Sequence, residues 1–301
     1  MLCTQHQDEA IKAISPEKTR MRASLRLAFT RDDAAGNTTL TFSHQDPPLR
    51  VIRAFHTNEN GAMVHLHNVS GGLFGGDDLR LEVEVGSGAE VQLTTTGATR
   101  IYRRSSESAR TSQRSELVVS RGALLEYVPD LIIPYAGADF CQHTVIQLSA
   151  DAGLFWWEIL APGREAKNEV FGFERVEMRT EVAAGDELLC IDRMNLEPGK
   201  KPTGSPGRMG RYRYCATFYI CKVGVTADGW LALERDLRKI VPTLSRFEPT
   251  LWGISTLKAY GLAIRCLAMQ GCDVISGLFS LWDTAKFVLY GRHAVRPRKT
   301  Y

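Results

Sequence analysis

Between residue 23 and about residue 225, apolar and polar positions alternate in short runs that glycine, proline, asparagine and aspartate interrupt. That period of two predicts strands, here over Leu117–Val119, Leu124–Val128, Thr144–Leu148, Val176–Val182, Leu188–Ile191 and Cys215–Val223. Leu79, Leu81, Val83 and Val85 share one face of a further strand, with Arg80, Glu82 and Glu84 on the other. Many short strands at close spacing point to stacked or rolled sheets, and no fixed-period repeat marks a solenoid. Leu262, Ile264 and Cys266 alternate and predict a strand, although Leu251–Ala268 also partly fits a helix. One helix stands out late in the chain. Asp273 is placed to cap it, and Val274, Leu278, Leu281, Trp282, Ala285 and Val288 recur at three- and four-residue intervals on the face expected to bury.

Residues 1–22 mix charges with few apolar anchors and read as a poorly ordered arm with a helical turn near Asp8–Ile14. The ordered body then runs from 23 to 301 as one β-rich domain. A chain of 301 residues with 44% hydrophobic and 24% charged residues has the composition of a folded globular protein. A formal net charge of +3 is too small to imply nucleic acid. No apolar run approaches the roughly 20 residues that span a bilayer, and the N-terminus lacks a signal peptide's apolar core, so a cytoplasmic protein is expected. The seven cysteines, Cys3, Cys141, Cys190, Cys215, Cys221, Cys266 and Cys272, are scattered and form no Cys-x-x-Cys, which predicts reduced core residues and neither disulfides nor zinc ligands.

The most distinctive local feature is Gly71-Gly72-Leu73-Phe74-Gly75-Gly76-Asp77-Asp78, which runs directly into the alternating strand. Phosphate-binding glycine loops deliver a strand to a helix N-terminus and carry Lys-Ser or Lys-Thr; this one opens a strand and carries neither. A tight turn or a backbone-built corner remains. Glycine suits both, because it permits positive φ and close backbone approach.

Downstream lie Thr94-Thr95-Thr96-Gly97-Ala98-Thr99-Arg100-Ile101-Tyr102-Arg103 and Gly163-Arg164-Glu165-Ala166-Lys167-Asn168-Glu169-Val170-Phe171. With the glycine corner, Pro48-Leu49-Arg50-Val51 and Pro297-Arg298, these segments resemble the urease accessory protein family UreD, also called UreH, over roughly residues 24–298. Asn168 stands where the family usually has glycine, Glu165 replaces a common proline, Arg100 a frequent lysine, and Lys299-Thr300-Tyr301 an Ile-Trp ending; these departures bear on loop geometry and partner contacts. The resemblance implies a mainly β fold of many short strands in stacked or helicoidally wound sheets, with a short helical element near the C-terminus. It also implies a non-catalytic scaffold in urease maturation. Its partners would be apo-urease, a UreF-like helical protein and a UreG-like GTPase, with no nucleic acid and no membrane. No cofactor would be tightly bound, and nickel would be in transit through a water-filled passage.

On that reading Gly71, Gly72, Gly75 and Gly76 shape a passage mouth, and Asp77 pins the corner by accepting backbone N–H bonds. Thr94 and Thr95 line a polar interior, while Arg100, Tyr102 and Arg164 belong to the same architecture. Arg164 and Glu169 meet as an ion pair across a turn. Glu169, with Glu158 of the strand Trp156-Trp157-Glu158 as a second candidate, offers transient oxygen ligands to a passing divalent cation. Two other readings stay open. A β-fold metalloenzyme would use His65, His67 and Asp77, the two histidines lying two apart on one strand face. A generic protein-binding module would grip an acidic surface through Glu197–Arg213, a segment read as a solvated mobile loop carrying Lys200, Lys201, Arg208, Arg211 and Arg213.

Overall fold

The computed structural model describes residues 21–57, 60–245 and 249–297. Residues 1–20 of the N-terminal arm, with Cys3 and the 8–14 segment, and residues 298–301 lie outside them, while Arg22, assigned to the arm, already opens the first strand. In chain order the strands are β1 (Arg22–Arg31), β2 (Thr38–Gln45), β3 (Leu49–Arg50), β4 (Ala54–His56), β5 (Ala62–Asn68), β6 (Asp78–Val85), β7 (Glu90–Thr95), β8 (Thr99–Ile101) and β9 (Thr111–Val119). They continue with β10 (Leu124–Tyr127), β11 (Ile132–Pro134), β12 (Asp139–Leu148), β13 (Gly153–Leu160), β14 (Arg175–Ala184), β15 (Glu187–Leu196) and β16 (Tyr214–Lys222). Helix α1 (Ala227–Ile240), strands β17 (Leu251–Thr256) and β18 (Gly261–Ala268), and helix α2 (Gly271–Tyr290) complete the chain.

The strands form two sheets. One runs β15-β14-β12-β9-β6-β1-β2, and the other runs β17-β18-β16-β13-β10-β7-β5-β3 with β4, β8 and β11 attached. From β5 to β14 the chain crosses repeatedly between them, so β1, β6, β9, β12 and β14 lie parallel in one sheet while β5, β7, β10 and β13 lie parallel in the other. This is helicoidal winding, one strand per sheet per coil. The crossing turns stack: Gly88 (φ 65°), Gly122 (φ 63°) and Asp151 (φ 59°) each take the left-handed conformation, and each precedes a buried alanine, Ala89, Ala123 or Ala152. Leu124 N–H donates to the Ala89 carbonyl (2.9 Å) and Gly153 N–H to that of Ala123 (2.8 Å), which zips one turn onto the next.

Helices α1 and α2 cover the outer face of the second sheet. Trp230, Leu233 and Leu237 of α1 meet Val274, Leu278, Leu281 and Trp282 of α2 in an apolar cluster that includes Phe155, Trp157 and Phe218. The pattern reading did not include α1, although Thr226 caps it through its hydroxyl to Gly229 N–H (3.3 Å). Asp273 does not cap α2: Gln270 holds that position without a side-chain bond, and Asp273 sits in the first turn, fully buried, both oxygens without hydrogen-bond partners. Val288 lies on the opposite face, 52% exposed. Residues 251–268, ambiguous in sequence, form the antiparallel pair β17 and β18. The Glu197–Arg213 segment is not solvated throughout, since Thr203 and Met209 bury within it.

Candidate functional site

The glycine corner is built by backbone contact. Leu73 N–H donates to the Arg100 carbonyl (2.8 Å) and Tyr102 N–H to the Leu73 carbonyl (2.8 Å), so the corner lies flush on β8 and the residue after it. A Cβ at Gly72 would stand 2.5 Å from the Tyr102 ring and 2.7 Å from the Arg100 carbonyl oxygen; one at Gly75 would stand 2.8 Å from Arg104 Cα. Gly71 (φ 79°) and Gly76 (φ 93°) need the left-handed region instead. Buried Asp77 accepts Phe74 N–H through Oδ2 (2.8 Å). Outward from the corner runs a stack of rings and charge. Phe74 stacks on Tyr102 (4.7 Å), whose ring meets Tyr135 edge-on (5.0 Å), and the Arg164 guanidinium covers Tyr135 (4.1 Å). Arg164 grips Glu169 with two bonds, and Ala136 N–H donates to the same carboxylate (3.3 Å). Those bonds, Arg164's foremost, hold the Glu169 carboxyl below its ordinary range. Arg100 stays exposed beside the Gly71 carbonyl (3.4 Å).

A second group lies between the sheets. On the inward face of β12 the order is Phe140, Gln142, Thr144, Ile146, Leu148: apolar at both ends and polar in the middle. Its neighbours repeat that change in register, Gln142 beside Gln113, and Thr144 beside Ser115 and Thr180, with Asp192 next to Thr180 on β15. Glu158 and Thr217, paired across β13 and β16, answer from the facing sheet, along with Thr95. A polar layer therefore divides the inter-sheet core into two apolar clusters, one with Trp156, Ile146 and Val182, the other with Leu160, Phe140 and Val176. Burying a hydroxyl or amide without a partner costs about 1–3 kcal/mol, so apolar residues would pack here more cheaply unless water or a guest occupies the layer.

The space is present. A central cavity of about 30 Å³ touches Thr95, Ser115, Gln142, Thr144 and Glu158. It shares Thr95, Thr99, Gln113 and Tyr127 with a cavity of about 70 Å³ that reaches His67 and Arg80. A separate hollow of about 430 Å³ beside Asp46 and Arg114 lies on the outer face of β1, β6 and β9, where Arg22, Arg80 and Arg114 point away from the core. On the other side, Glu158 also lines a funnel of about 670 Å³ bordered by Asp192, Thr217 and Arg265. Even 30 Å³ accommodates a water molecule, which needs roughly 10–15 Å³. Glu158 stands at the joint between funnel and interior, hydrogen-bonded to the Gln142 amide. Burial, reinforced by Asp192 and opposed by a bond with Thr180, pushes its carboxyl up to about 8.

The residues singled out from sequence thus separate. Gly71, Gly72, Gly75, Gly76, Asp77, Arg100, Tyr102, Arg164 and Glu169 assemble at the outer corner, whereas Thr95 and Glu158 line the polar layer. Glu169 is not among the residues lining these cavities. Thr94 is fully buried and spends its hydroxyl on the Val128 carbonyl (2.8 Å). His65 packs edge-on to Phe55 (5.9 Å), and burial, then His65, lowers the His67 pKa. Among the described residues no three His, Cys, Asp or Glu side chains are grouped to hold a metal ion, so His65, His67 and Asp77 do not form a centre. Pattern reading missed Gln113, Ser115, Gln142, Thr144 and Thr180, whose polar positions share a face with apolar ones.

Residues 21–301 match the family model described as UreD urease accessory protein. The chain belongs to the UreD family. It is 40% identical over 282 residues to the urease accessory protein UreD of Herpetosiphon aurantiacus, covering 94% of this chain and 97% of that one. The Halalkalibacterium halodurans UreD is 35% identical over 196 residues, 65% of this chain and 72% of its own. The Staphylococcus aureus (strain bovine RF122 / ET3-1) UreD is 31% identical over 226 residues, 74% and 78%. One departure from the UreD pattern has a local reason: Asn168 ends a short turn at φ 59°, a left-handed position that asparagine tolerates when glycine is absent. Another, Glu165, bonds Arg213 (2.9 Å) and the Tyr214 hydroxyl, tying the 163–169 turn to β16. Among the described residues no helix is long and apolar enough to cross a membrane.

Proposed function

We propose that this UreD family member serves urease maturation as a cytoplasmic, non-catalytic scaffold, and that nickel crosses it along the polar layer between its sheets. The observation that carries this reading is the succession of cavities sharing walls from the 670 Å³ funnel, past Glu158, into the polar layer and on to His67. Glu158 among hydroxyls and amides, with neighbouring Asp192 already held by Tyr219 and Arg265, is a weak ligand set for a divalent cation, which suits transfer over retention. With its raised pKa, Glu158 holds a proton at neutral pH while the layer contains only water. An arriving cation displaces that proton, and departure of the cation lets the proton return. The outer corner gives the fold a rigid edge: Glu169, already saturated by Arg164 and Ala136, contributes stiffness there, and Glu158 supplies the transient ligand. Apo-urease, a UreF-like protein and a UreG-like GTPase complete the complex, with GTP hydrolysis assigned to the GTPase.

The test is urease activation in cells expressing a urease operon with Glu158→Ala, Glu158→Gln or Glu169→Gln in this chain, complex assembly being followed by pull-down. Nickel bound by urease should fall at least severalfold with both Glu158 variants and little with Glu169→Gln, while the complex persists. Full nickel loading with Glu158→Ala would overturn the route.

A further inference from the structure

The funnel wall carries a concentration of sulfur that nickel transit leaves unused. Met178 and Met194 sit side by side in register on β14 and β15, facing inward. Cys215 comes from β16 of the opposite sheet, and its Sγ lies 3.8 Å from Met194 Sδ. Met209, buried within the Glu197–Arg213 segment, borders the same 670 Å³ space. Thioethers are poor ligands for hard or borderline divalent ions and good ones for soft monovalent ions. If each sulfur bonded one ion at about 2.3 Å, the typical metal–thiolate length, a 3.8 Å separation would subtend an angle of roughly 110° at the metal. That value lies in the range of three- and four-coordinate geometry, so two sulfurs are already spaced as ligands with no movement of the backbone. Filling apolar gaps would also suit methionine, but Met194 and Cys215 are only half-buried and front an open cavity.

We propose that Cys215, Met194 and Met178 form a binding site for a soft monovalent metal ion, Cu(I) in chemistry, at the mouth of the funnel. Binding breaks the Cys215 S–H bond, releases one proton to solvent and forms a metal–thiolate bond, with the two thioethers donating lone pairs; nothing is oxidised or reduced. The thiolate cancels the ion's charge, so the loaded site is neutral and tolerates its apolar surroundings. Before loading, burial together with Glu158 and Asp192 pushes the Cys215 thiol up to about 12, which keeps it protonated and inert. The site stands on its own sulfur geometry and does not depend on the nickel route.

The full-length protein with Cys3→Ser and Cys272→Ser, which removes the exposed thiol and the one in the N-terminal arm, is titrated with Ag(I) and, anaerobically, with Cu(I) against a chromophoric Cu(I) chelator. One tight equivalent is expected, with X-ray absorption of the Cu(I) form showing sulfur as its ligands. Met178→Leu and Met194→Leu keep side-chain volume while removing the thioether, and each should weaken binding about tenfold or more; Cys215→Ser should weaken it further. Absence of a tight equivalent, or unchanged affinity in both methionine variants, would overturn the site. Melting curves establish that each variant is folded, and the methionine variants decide the matter if Cys215→Ser fails to fold.

Discussion

Replacing Glu158 by glutamine keeps size and hydrogen bonding to Gln142 but removes a titration, which makes it a direct probe of the polar layer. The Glu158 carboxyl has an ordinary value of 4.5 and stands at about 8 in the fold. Between those values the folded state binds the proton that the unfolded state has lost, so this group's stabilisation, complete below pH 4.5, is lost as pH rises through 8. The difference, 8 − 4.5, at about 1.4 kcal/mol per pH unit gives a ceiling near 5 kcal/mol. Water in the adjoining cavities and coupling to Asp192 reduce this to about 2–4 kcal/mol. Urea unfolding of wild type and Glu158→Gln at pH 5, 7 and 8.5 measures it. The variant should match wild type near pH 5 and exceed it by about 2–4 kcal/mol at pH 8.5, the gap opening progressively between. Parallel stability curves over that range would refute the placement of Glu158 in a desolvated layer.

At the corner, Gly72→Ala and Gly75→Ala drive a methyl into Tyr102 and the Arg104 backbone and should each cost about 2–3 kcal/mol by urea unfolding, whereas Gly97→Ala, with nothing within 4 Å of the new carbon, should change stability by less than about 1 kcal/mol. On the helical side, Lys286 Nζ and Trp282 Nε1 both donate to buried Glu126 (2.9 and 2.8 Å); Lys286→Met should cost about 3–5 kcal/mol, and adding Glu126→Gln should recover much of it, because the loss comes from an uncompensated buried charge.

Strands were legible wherever one face buries apolar side chains along its length, as in Leu79–Val85 of β6. The coil repeat was not. Its markers are a left-handed residue followed by a buried alanine, and Ala123 follows Ala89 by 34 residues but precedes Ala152 by 29, so no period emerges. Helix α1 escaped because Trp230, Leu233 and Leu237 form a narrow stripe among charges. Asp273 fits a cap by residue type, yet the helix begins two residues earlier, which turns a surface role into a buried carboxylate. The polar layer did leave a signal: in β9, β12 and β14 the inward positions change from apolar to polar and back, or end polar, at matching heights. Registering those strands is what aligns Ser115, Thr144 and Thr180, and register is a tertiary property. Of the two glutamates chosen as ligands, the pairing of Glu169 with Arg164 was legible from the turn residues around it, whereas sequence could not see that Glu158, and not Glu169, borders the cavities.

A plug separates passage from folding. Ser115→Leu with Thr144→Ile fills the central cavity with apolar side chains, which should leave the fold intact and the complex assembled. The decisive measurement is the nickel content of urease matured with this variant. Urease almost free of nickel, from cells where the plugged protein accumulates and co-purifies normally, is the result predicted; urease loaded to the wild-type level would contradict the claim that metal travels between the sheets.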